Sequence, residues 1–395
     1  MTKRQASTRT WRQALLCAAL AIFLAGLLTP ALAWPPGGAA LAEGRTAASP
    51  PPRYRHTLVA LSGKAYLFGG MVGGEPGNDL WLWDGDWRER APATGPAARS
   101  GHAAAMVGGR MFIFFGQGVG GAVLDDVWAY DPAANLWTSK LSRGVSPAPR
   151  FGHSAVAVGS DVLIFGGETT AGAADKCIWR YQTATETWQE GACLENPPFG
   201  GGYAVANVSS RILVYPGGAA LSRLLRYSTE DDAWGEVTVF DDSLAPRAQA
   251  AVAAQGDRMW LFGGTIEGLG QTPNILEFRM LPDGTQVLLA PLPCLPAART
   301  EAQAVVLSTS LSNGVTVTSV LIFGGRRGDE PLAEPLIYRI GPPAVSATAT
   351  PSITRTPSPP AASSATPTIT ATPTTRLPLP RERRVVLPVI LAIGP

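Results

Sequence analysis

Residues 150–188 read RFGHSAVAVGSDVLIFGGETTAGAADKCIWRYQTATETW and contain the pattern that decides the fold. An arginine precedes a short apolar stretch, and a second apolar stretch ends in Phe165-Gly166-Gly167. A third, aromatic-rich stretch ends at Tyr181, and Trp188 follows it in a fourth. Short apolar stretches separated by turn residues are typical of antiparallel strands. The segment therefore predicts one sheet of four short strands.

The same pattern recurs along the chain with a period of about fifty residues. The glycine-rich strand end occurs at Leu67-Phe68-Gly69-Gly70, Phe114-Phe115-Gly116-Gln117, Ile164-Phe165-Gly166-Gly167, Tyr215-Pro216-Gly217-Gly218, Leu261-Phe262-Gly263-Gly264 and Ile322-Phe323-Gly324-Gly325. The opening motif occurs at Arg53-Tyr54-Arg55-His56, Arg99-Ser100-Gly101-His102, Arg150-Phe151-Gly152-His153, Phe199-Gly200-Gly201-Gly202, Arg247-Ala248-Gln249-Ala250 and Arg299-Thr300-Glu301-Ala302. In the second copy, Gln117 takes the place of the second glycine. A regular repeat of this length predicts stacked sheets that bury one another's apolar faces.

Each copy also has an aromatic residue near the end of its third stretch. These residues are Trp83, Tyr130, Tyr181, Tyr227, Phe278 and Tyr338, and a tryptophan follows in three copies, at Trp137, Trp188 and Trp234. Large aromatic side chains fill the space between packed sheets efficiently. We interpret them as core between sheets rather than as a platform for a ligand.

These motifs resemble the kelch repeat over roughly residues 50 to 340. The resemblance implies an all-β fold, a six-bladed β-propeller with four-stranded blades, over residues 34–341. The sixth copy stops after its third strand, because Tyr338-Arg339-Ile340 continues directly into Gly341-Pro342-Pro343. We expect residues 34–48 to supply the missing closing strand. The alternative is an unstructured start of the chain and an imperfect sixth blade.

The first 33 residues have the layout of a signal peptide. Four basic residues precede an apolar run, and Ala31-Leu32-Ala33 forms a small-x-small cleavage site before Trp34. The apolar run is too short for a permanent span. We therefore expect residues 1–33 to be removed and the protein to be secreted or associated with the cell surface, without a transmembrane span in the mature chain.

The other end of the chain is low in complexity. Residues 342–376 are rich in Thr, Ser and Pro, which predicts a disordered linker. Residues 377–395 are basic and then apolar, and the apolar part is too short to cross a bilayer as a helix. This segment is either a short sorting or docking tag or a tail without a specific role.

Charge and cysteine content limit the classes of function. Without residues 1–33 the chain has 28 basic and 30 acidic side chains, a net charge of −2, so no nucleic-acid partner is expected. We expect a disulfide between Cys177 and Cys193, which end one strand and follow the next. A Cys193–Cys294 pair and free thiols are the alternatives.

Few residues suit catalysis or metal binding. The three histidines of the chain, His56, His102 and His153, share one repeat position and are interpreted as structural. We predict no metal site, no cofactor and no catalytic residue. The carboxylates that follow second strands are interpreted as solvated loop side chains: Asp125, Asp126, Glu168, Asp175 and Glu267.

One constellation stands out as a candidate binding site. An arginine opens five of the repeats, at Arg53, Arg99, Arg150, Arg247 and Arg299. If the first strands are innermost, these side chains could ring one mouth of the central channel and bind an anion. The alternative is that each arginine ties down a loop carbonyl or pairs with an aspartate of the scaffold.

Two functions from different classes follow. The first is a monomeric, exported interaction module that presents one face to a protein, an anionic glycan or another anionic ligand. The second is a carbohydrate-active enzyme similar to the kelch propeller that epimerises a sialic acid. An arginine cluster beside an ionisable group in the central pocket would favour the enzyme.

Overall fold

The computed structural model describes residues 49–172, 176–194, 203–215, 224–239, 247–312 and 315–341. All of them belong to one compact unit, which ends at Pro343. The segments predicted as signal peptide, closing strand, linker and tail lie outside the described residues, so these predictions remain as they stand.

The described residues are almost entirely β-structure, as the sequence predicts. Their one helical segment is a 3-10 turn at Val119–Gly121. No helix among the described residues has the length and apolar character needed to span a membrane.

The strands follow the six sequence repeats, which we number in chain order. Repeat one contains β1 Thr57–Leu61, β2 Lys64–Val72, β3 Glu75–Trp83 and β4 Trp87–Arg90. Repeat two contains β5 Arg99–Ser100, β6 Ala103–Val107, β7 Arg110–Gly118, β8 Val123–Asp131 and β9 Leu136–Lys140. Repeat three contains β10 Arg150–Phe151, β11 Ser154–Val158, β12 Asp161–Phe165, β13 Glu168–Thr169, β14 Cys177–Gln182 and β15 Thr187–Cys193.

The second half of the chain repeats this layout. Repeat four contains β16 Ala204–Val208, β17 Arg211–Tyr215, β18 Leu224–Ser228 and β19 Ala233–Val239. Repeat five contains β20 Arg247–Ala248, β21 Ala251–Gln255, β22 Arg258–Phe262, β23 Thr265–Ile266, β24 Gly270–Gln271, β25 Ile275–Met280 and β26 Gln286–Leu292. Repeat six contains β27 Gln303–Ser312, β28 Val315–Phe323, β29 Arg326–Arg327, β30 Glu330–Pro331 and β31 Leu336–Ile340.

The long strands of each repeat form an antiparallel meander, and the two-residue strands form small ladders beside it. Repeats one to five each contribute four long strands, whereas the described part of repeat six contributes three, in the order β27-β28-β31. The outer edge of β31 therefore has no partner strand among the described residues. That edge is where the sequence predicts residues 34–48.

One connection was not predicted. The outermost strands β19 and β26 pair in parallel, Thr238 with Gln286 and Val239 with Val287. This ladder joins the sheets of repeats four and five into a single eight-stranded sheet.

The hydrophobic core lies between neighbouring repeats rather than within one. The cluster between repeats one and two combines Phe68 and Leu80 with Met111, Ile113 and Trp137. Equivalent clusters join each later repeat to the next. The cluster of Leu58, Leu67, Trp87, Leu321 and Phe323 joins repeat one to repeat six. The aromatic residues thus serve as core between sheets, as the sequence predicts.

The described glycine doublets lie where another segment of the same chain passes close to the backbone. A Cβ atom on Gly69, the first glycine of repeat one, would lie 2.7 Å from the Arg99 carbonyl oxygen of repeat two. A Cβ atom on Gly70, the second glycine, would lie 2.6 Å from Cβ of His56 in its own repeat. The absence of a side chain at the first glycine thus allows the next repeat to pack closely. Its absence at the second allows the residue before the first strand of the same sheet to do so.

The structure corrects the alignment of the second repeat. Phe114 pairs with Ala103 in the position that Phe68 occupies opposite Thr57 in repeat one. Phe115, with φ 53°, therefore takes the place of the first glycine, and Gly116 is the second. Gln117 lies beyond the doublet. The left-handed backbone of Phe115 is unusual for a bulky residue, and stacking on Trp188 at 5.5 Å accompanies it.

Candidate functional site

The five predicted arginines are buried, with an exposed fraction of 0% for Arg53, Arg99 and Arg150 and 3% for Arg247 and Arg299. Four of them donate from Nη1 to the carbonyl oxygen of the residue 16 positions later. That carbonyl belongs to the first position of the glycine doublet in the same repeat. The arginines therefore hold the end of the second strand, and they do not face solvent as a ligand-binding ring would.

Two of the arginines also form bidentate ion pairs. Nη1 and Nη2 of Arg53 lie 2.8 and 2.6 Å from the two carboxylate oxygens of Asp79. Arg99 pairs with Asp126 in the same way, at 2.6 and 2.8 Å. Asp126 is thus part of the scaffold rather than a solvated loop side chain. An indole N–H donates to each aspartate as well, from Trp81 and Trp128 respectively.

The ion pairs determine the titration of both carboxyl groups. Burial alone would raise the pKa of Asp79, but hydrogen bonds and charge from Arg53, with the Trp81 indole, outweigh it and lower the pKa. The same balance lowers the pKa of Asp126 beside Arg99 and Trp128. Both aspartates are therefore held in the charged form.

The other three arginines have different surroundings. Arg150 donates to the carbonyl oxygens of Ala148 and Gly166. Arg247 donates to the carbonyl oxygens of Gly263 and Asn274, and burial lowers its pKa to about 10. Arg299 lies 3.5 Å from the Gly324 carbonyl oxygen. These contacts fit the framework alternative. The burial of the five arginines argues against an anion-binding ring, which stays a prediction.

The three histidines pack between repeats. His102 lies against Phe68 of the preceding repeat at 5.4 Å between ring centroids, and His56 lies against Phe323 at 5.7 Å. Nε2 of His102 is 2.9 Å from the Thr57 hydroxyl. Among the described residues neither ring nitrogen of His56 has a hydrogen-bond partner. The predicted structural role fits this packing.

Burial keeps these histidines neutral. Desolvation, with the charge of Arg53, lowers the pKa of His56 to about 3, and desolvation with Arg150 does the same for His153. The pKa of His102 is lowered well below its usual value, again chiefly by burial. A neutral, enclosed imidazole is not placed to exchange protons with a ligand.

Cys177 and Cys193 lie directly opposite each other on β14 and β15 and form a disulfide, the pairing that the sequence predicts. Glu190 lies beside them, and these three residues are the one group of potential metal ligands close together in the described part of the chain. Because both sulfurs are engaged in the disulfide, they cannot bind a metal as thiolates.

A polar cluster that the sequence analysis missed lies at the start of the first long strands of the repeats. The first long strands β1, β6, β11, β16, β21 and β27 contact one another in turn, and β27 also contacts β1. Backbone hydrogen bonds link described loops that precede these strands, for example from Gly101 N to Arg55 O at 2.9 Å and from Gly152 N to Gly101 O at 2.7 Å. The described opening loops therefore lie together at one end of the first long strands, which we call the mouth.

We define the mouth cluster as Tyr54, Arg55, Gln249, Glu301 and Arg326. Glu301 is at its centre, and its side chain is 4% exposed. Nε of Arg55 lies 2.8 Å from Oε1 of Glu301, and Nε of Arg326 lies 2.6 Å from Oε2. Arg326 also stacks over the Tyr54 ring at 4.8 Å, and Gln249 Nε2 lies 3.4 Å from Glu301 Oε1.

Three members of the mouth cluster have left-handed backbone. Arg55, Gln249 and Glu301 have φ values of 54°, 57° and 56° at the position where repeats two and three have Gly101 and Gly152. A side chain in this region costs of order 1 kcal/mol, and such residues collect at functional sites. The signal in the sequence was a charged or polar residue at the glycine position of the opening motif.

The repeats also identify related proteins. Residues 84–264 match the family described as the KLHDC2/KLHL20/DRC7 Kelch-repeats domain. The chain is 27% identical to Kelch domain-containing protein 3 of Bos taurus, over 60% of this chain and 68% of that protein. It is 25% identical to Beta-scruin of Limulus polyphemus, over 72% of this chain and 32% of that protein.

A third relative is the Rho GTPase-activating protein gacHH of Dictyostelium discoideum, 35% identical over 32% of this chain. The matched stretch spans only 9% of that protein. Kelch repeats, which the family model matches over residues 84–264, generally form protein-interaction modules. The kelch resemblance seen in the motifs is confirmed.

The framework role of the arginines predicts the effect of removing one. Replacing Arg99 by Ala leaves the Asp126 carboxylate without its partner and the Phe115 carbonyl without its donor, so we expect a loss of about 3 kcal/mol in the free energy of unfolding. Arg110→Ala is the control, because Arg110 is 56% exposed and lies 3.4 Å from Asp131. Urea denaturation measures both. Equal, small losses would show that Arg99 is not part of the framework.

The buried histidines predict a dependence of stability on pH. Because their pKa values are lowered on folding, the unfolded chain binds protons below pH about 6.5 that the folded protein does not. The contribution of the neutral histidines to the free energy of unfolding is therefore fully present above this pH. It is lost as the pH falls towards 3, by up to about 1.4 kcal/mol per pH unit for each histidine. Urea midpoints from pH 7 to 5 measure the slope, which His56→Gln should reduce by about a third. A flat profile would contradict the assignment.

Proposed function

We propose that the chain is an exported interaction module, a closed six-bladed propeller that binds a protein partner at the mouth cluster. Closure is supported by the contacts between the first and last repeats. The Gly325 amide donates to the Arg53 carbonyl oxygen at 2.8 Å, and the Arg53 amide donates to the Leu332 carbonyl oxygen at 3.2 Å. Residues 34–48 would complete the sixth blade along the outer edge of β31.

The observation that carries the proposal is the choice of residues at the mouth. Glycine serves the left-handed position in repeats two and three, yet repeats one, five and six carry Arg55, Gln249 and Glu301 there. The scaffold does not require side chains at this position, since glycine accepts the same backbone without strain. A binding role explains why polar side chains are placed together at one side of the mouth.

The second candidate, a carbohydrate-active enzyme, is favoured by one observation. Two arginines and a carboxylate do lie together at the mouth, the arrangement expected for an enzyme acting on an acidic sugar. However, both oxygens of Glu301 face guanidinium groups, and its side chain is almost completely enclosed. Glu301 is thus engaged in holding Arg55 and Arg326, which suits a binding site better than a general base.

Export is the third part of the proposal. It is supported by the layout of residues 1–33 and by the disulfide of Cys177 and Cys193, since stable disulfides form in oxidising compartments. A surface or secreted location would also give the Thr/Pro-rich segment 342–376 a role as a spacer.

Photo-crosslinking in cells of the source organism tests the binding role. A benzophenone amino acid in place of Tyr54 keeps an aromatic ring beneath Arg326, and the control places it at the exposed Ser160, at the other end of the innermost strand. We expect the crosslinker at position 54, but not at position 160, to give a defined protein adduct. The additional substitution Arg326→Gln should abolish this adduct. Identical adducts from both positions would contradict a binding role for the mouth.

The exported protein recovered in this experiment should begin at Trp34.

A further inference from the structure

We infer that the mouth cluster binds one acidic side chain of a peptide segment, seated between Arg55 and Arg326. The inference rests on the proposed function, because it specifies what the protein partner presents to this mouth. It depends on the way in which the two arginines are held.

Nε of Arg55 donates a hydrogen bond to Oε1 of Glu301. Nε of Arg326 lies 2.6 Å from Oε2 as an ion pair, without the geometry of a hydrogen bond. The terminal Nη atoms of Arg55 and Arg326 form no hydrogen bond to any described residue. The two side chains are 42% and 27% exposed, so these nitrogens are within reach of a ligand. A guanidinium fork matches the two oxygens of a carboxylate in one plane.

The site is also fixed before a ligand binds. Glu301 is buried and cannot move freely, and Arg326 is further held by the face of the Tyr54 ring. Gln249 is held in turn, because the Thr300 hydroxyl donates to its Oε1 at 3.1 Å. Side chains that are already ordered lose little entropy when a ligand binds.

The charge balance selects the ligand. Two guanidinium groups and one carboxylate leave a net charge of +1 in the mouth cluster, which a single carboxylate neutralises. A doubly charged phosphate would leave an excess negative charge beside the buried Glu301, which is unfavourable in a partly desolvated site. A polynucleotide needs an extended series of cations along its backbone, and two arginines do not provide one.

Display of random seven-residue peptides on phage tests the inference, because fusion through the peptide's C-terminus leaves only side-chain carboxylates. We expect the selected peptides to share Asp or Glu at one position. A synthetic peptide with Gln in place of that Glu should bind at least tenfold more weakly, since a hydrogen bond between charged groups is stronger than one to a neutral amide. Binding should also weaken as salt concentration rises.

Arg55→Gln and Arg326→Gln should reduce peptide affinity at least tenfold. Arg55→Gln should not disturb the backbone, because Gln249 already occupies the equivalent left-handed position in repeat five. The control Arg110→Gln removes an exposed arginine outside the mouth cluster and should leave affinity unchanged. Because each variant removes one partner of the buried Glu301, affinities are compared at a temperature at which circular dichroism shows every variant to be folded.

The contrary outcomes are distinct. Selected peptides without an acidic preference, or with affinity independent of Arg55, would overturn the inference and leave a protein-binding mouth in place. If no peptide is selected but a partner crosslinks at position 54, the inference is also overturned and the proposed protein-binding role stands. Absence of both would overturn the proposed function as well. Binding of N-acetylneuraminic acid that depends on Arg55, without peptide binding, would replace the peptide by an acidic sugar.

Discussion

The close approach of two backbones at the glycine doublets of repeats one, five and six is the constraint on which the rest of the structure depends. Where repeat six meets repeat one, a Cβ atom on Gly324 would lie 2.6 Å from the Arg53 carbonyl oxygen. Only a residue without a side chain permits this distance, and only it accepts the left-handed backbone without strain. The doublets thereby set how tightly neighbouring sheets pack and where the aromatic core between them lies.

The positions of the arginines and of the mouth cluster follow from this approach. With the doublet packed against the first strand, the arginine that opens five of the repeats is enclosed, and four of these arginines donate to the carbonyl at the first doublet position. The chain reverses direction two residues after the arginine. Residues such as Arg55 and Glu301 therefore have left-handed backbone at the mouth. The scaffold motif and the candidate site are thus neighbouring parts of one loop, with the buried arginine serving stability and the residue two positions later available for recognition.

Much of this could be predicted from the sequence because it is periodic. Six copies of one pattern predict stacked antiparallel sheets, and the position of Cys177 and Cys193 on adjacent strands predicts their disulfide. The burial of the arginines could not be predicted. The same sequence motif would place the arginine side chain in solvent at the mouth or inside the scaffold, depending on how far the opening loop folds inward. The mouth cluster joins residues 246 positions apart, Arg55 and Glu301, and the pairing of β19 with β26 is equally non-local. Phe115 shows the limit of motif alignment, since a phenylalanine occupies a glycine position there.

The most direct test of this account compares Gly324→Ala with Gly73→Ala by urea denaturation. Both glycines have positive φ, 65° and 59°, but a Cβ atom on Gly73 would meet nothing within 4 Å. Each variant should lose of order 1 kcal/mol to backbone strain, and Gly324→Ala should lose about 2 kcal/mol more through the clash with the Arg53 carbonyl. Equal losses would show that the junction between repeats six and one does not depend on the close approach at the glycine doublet.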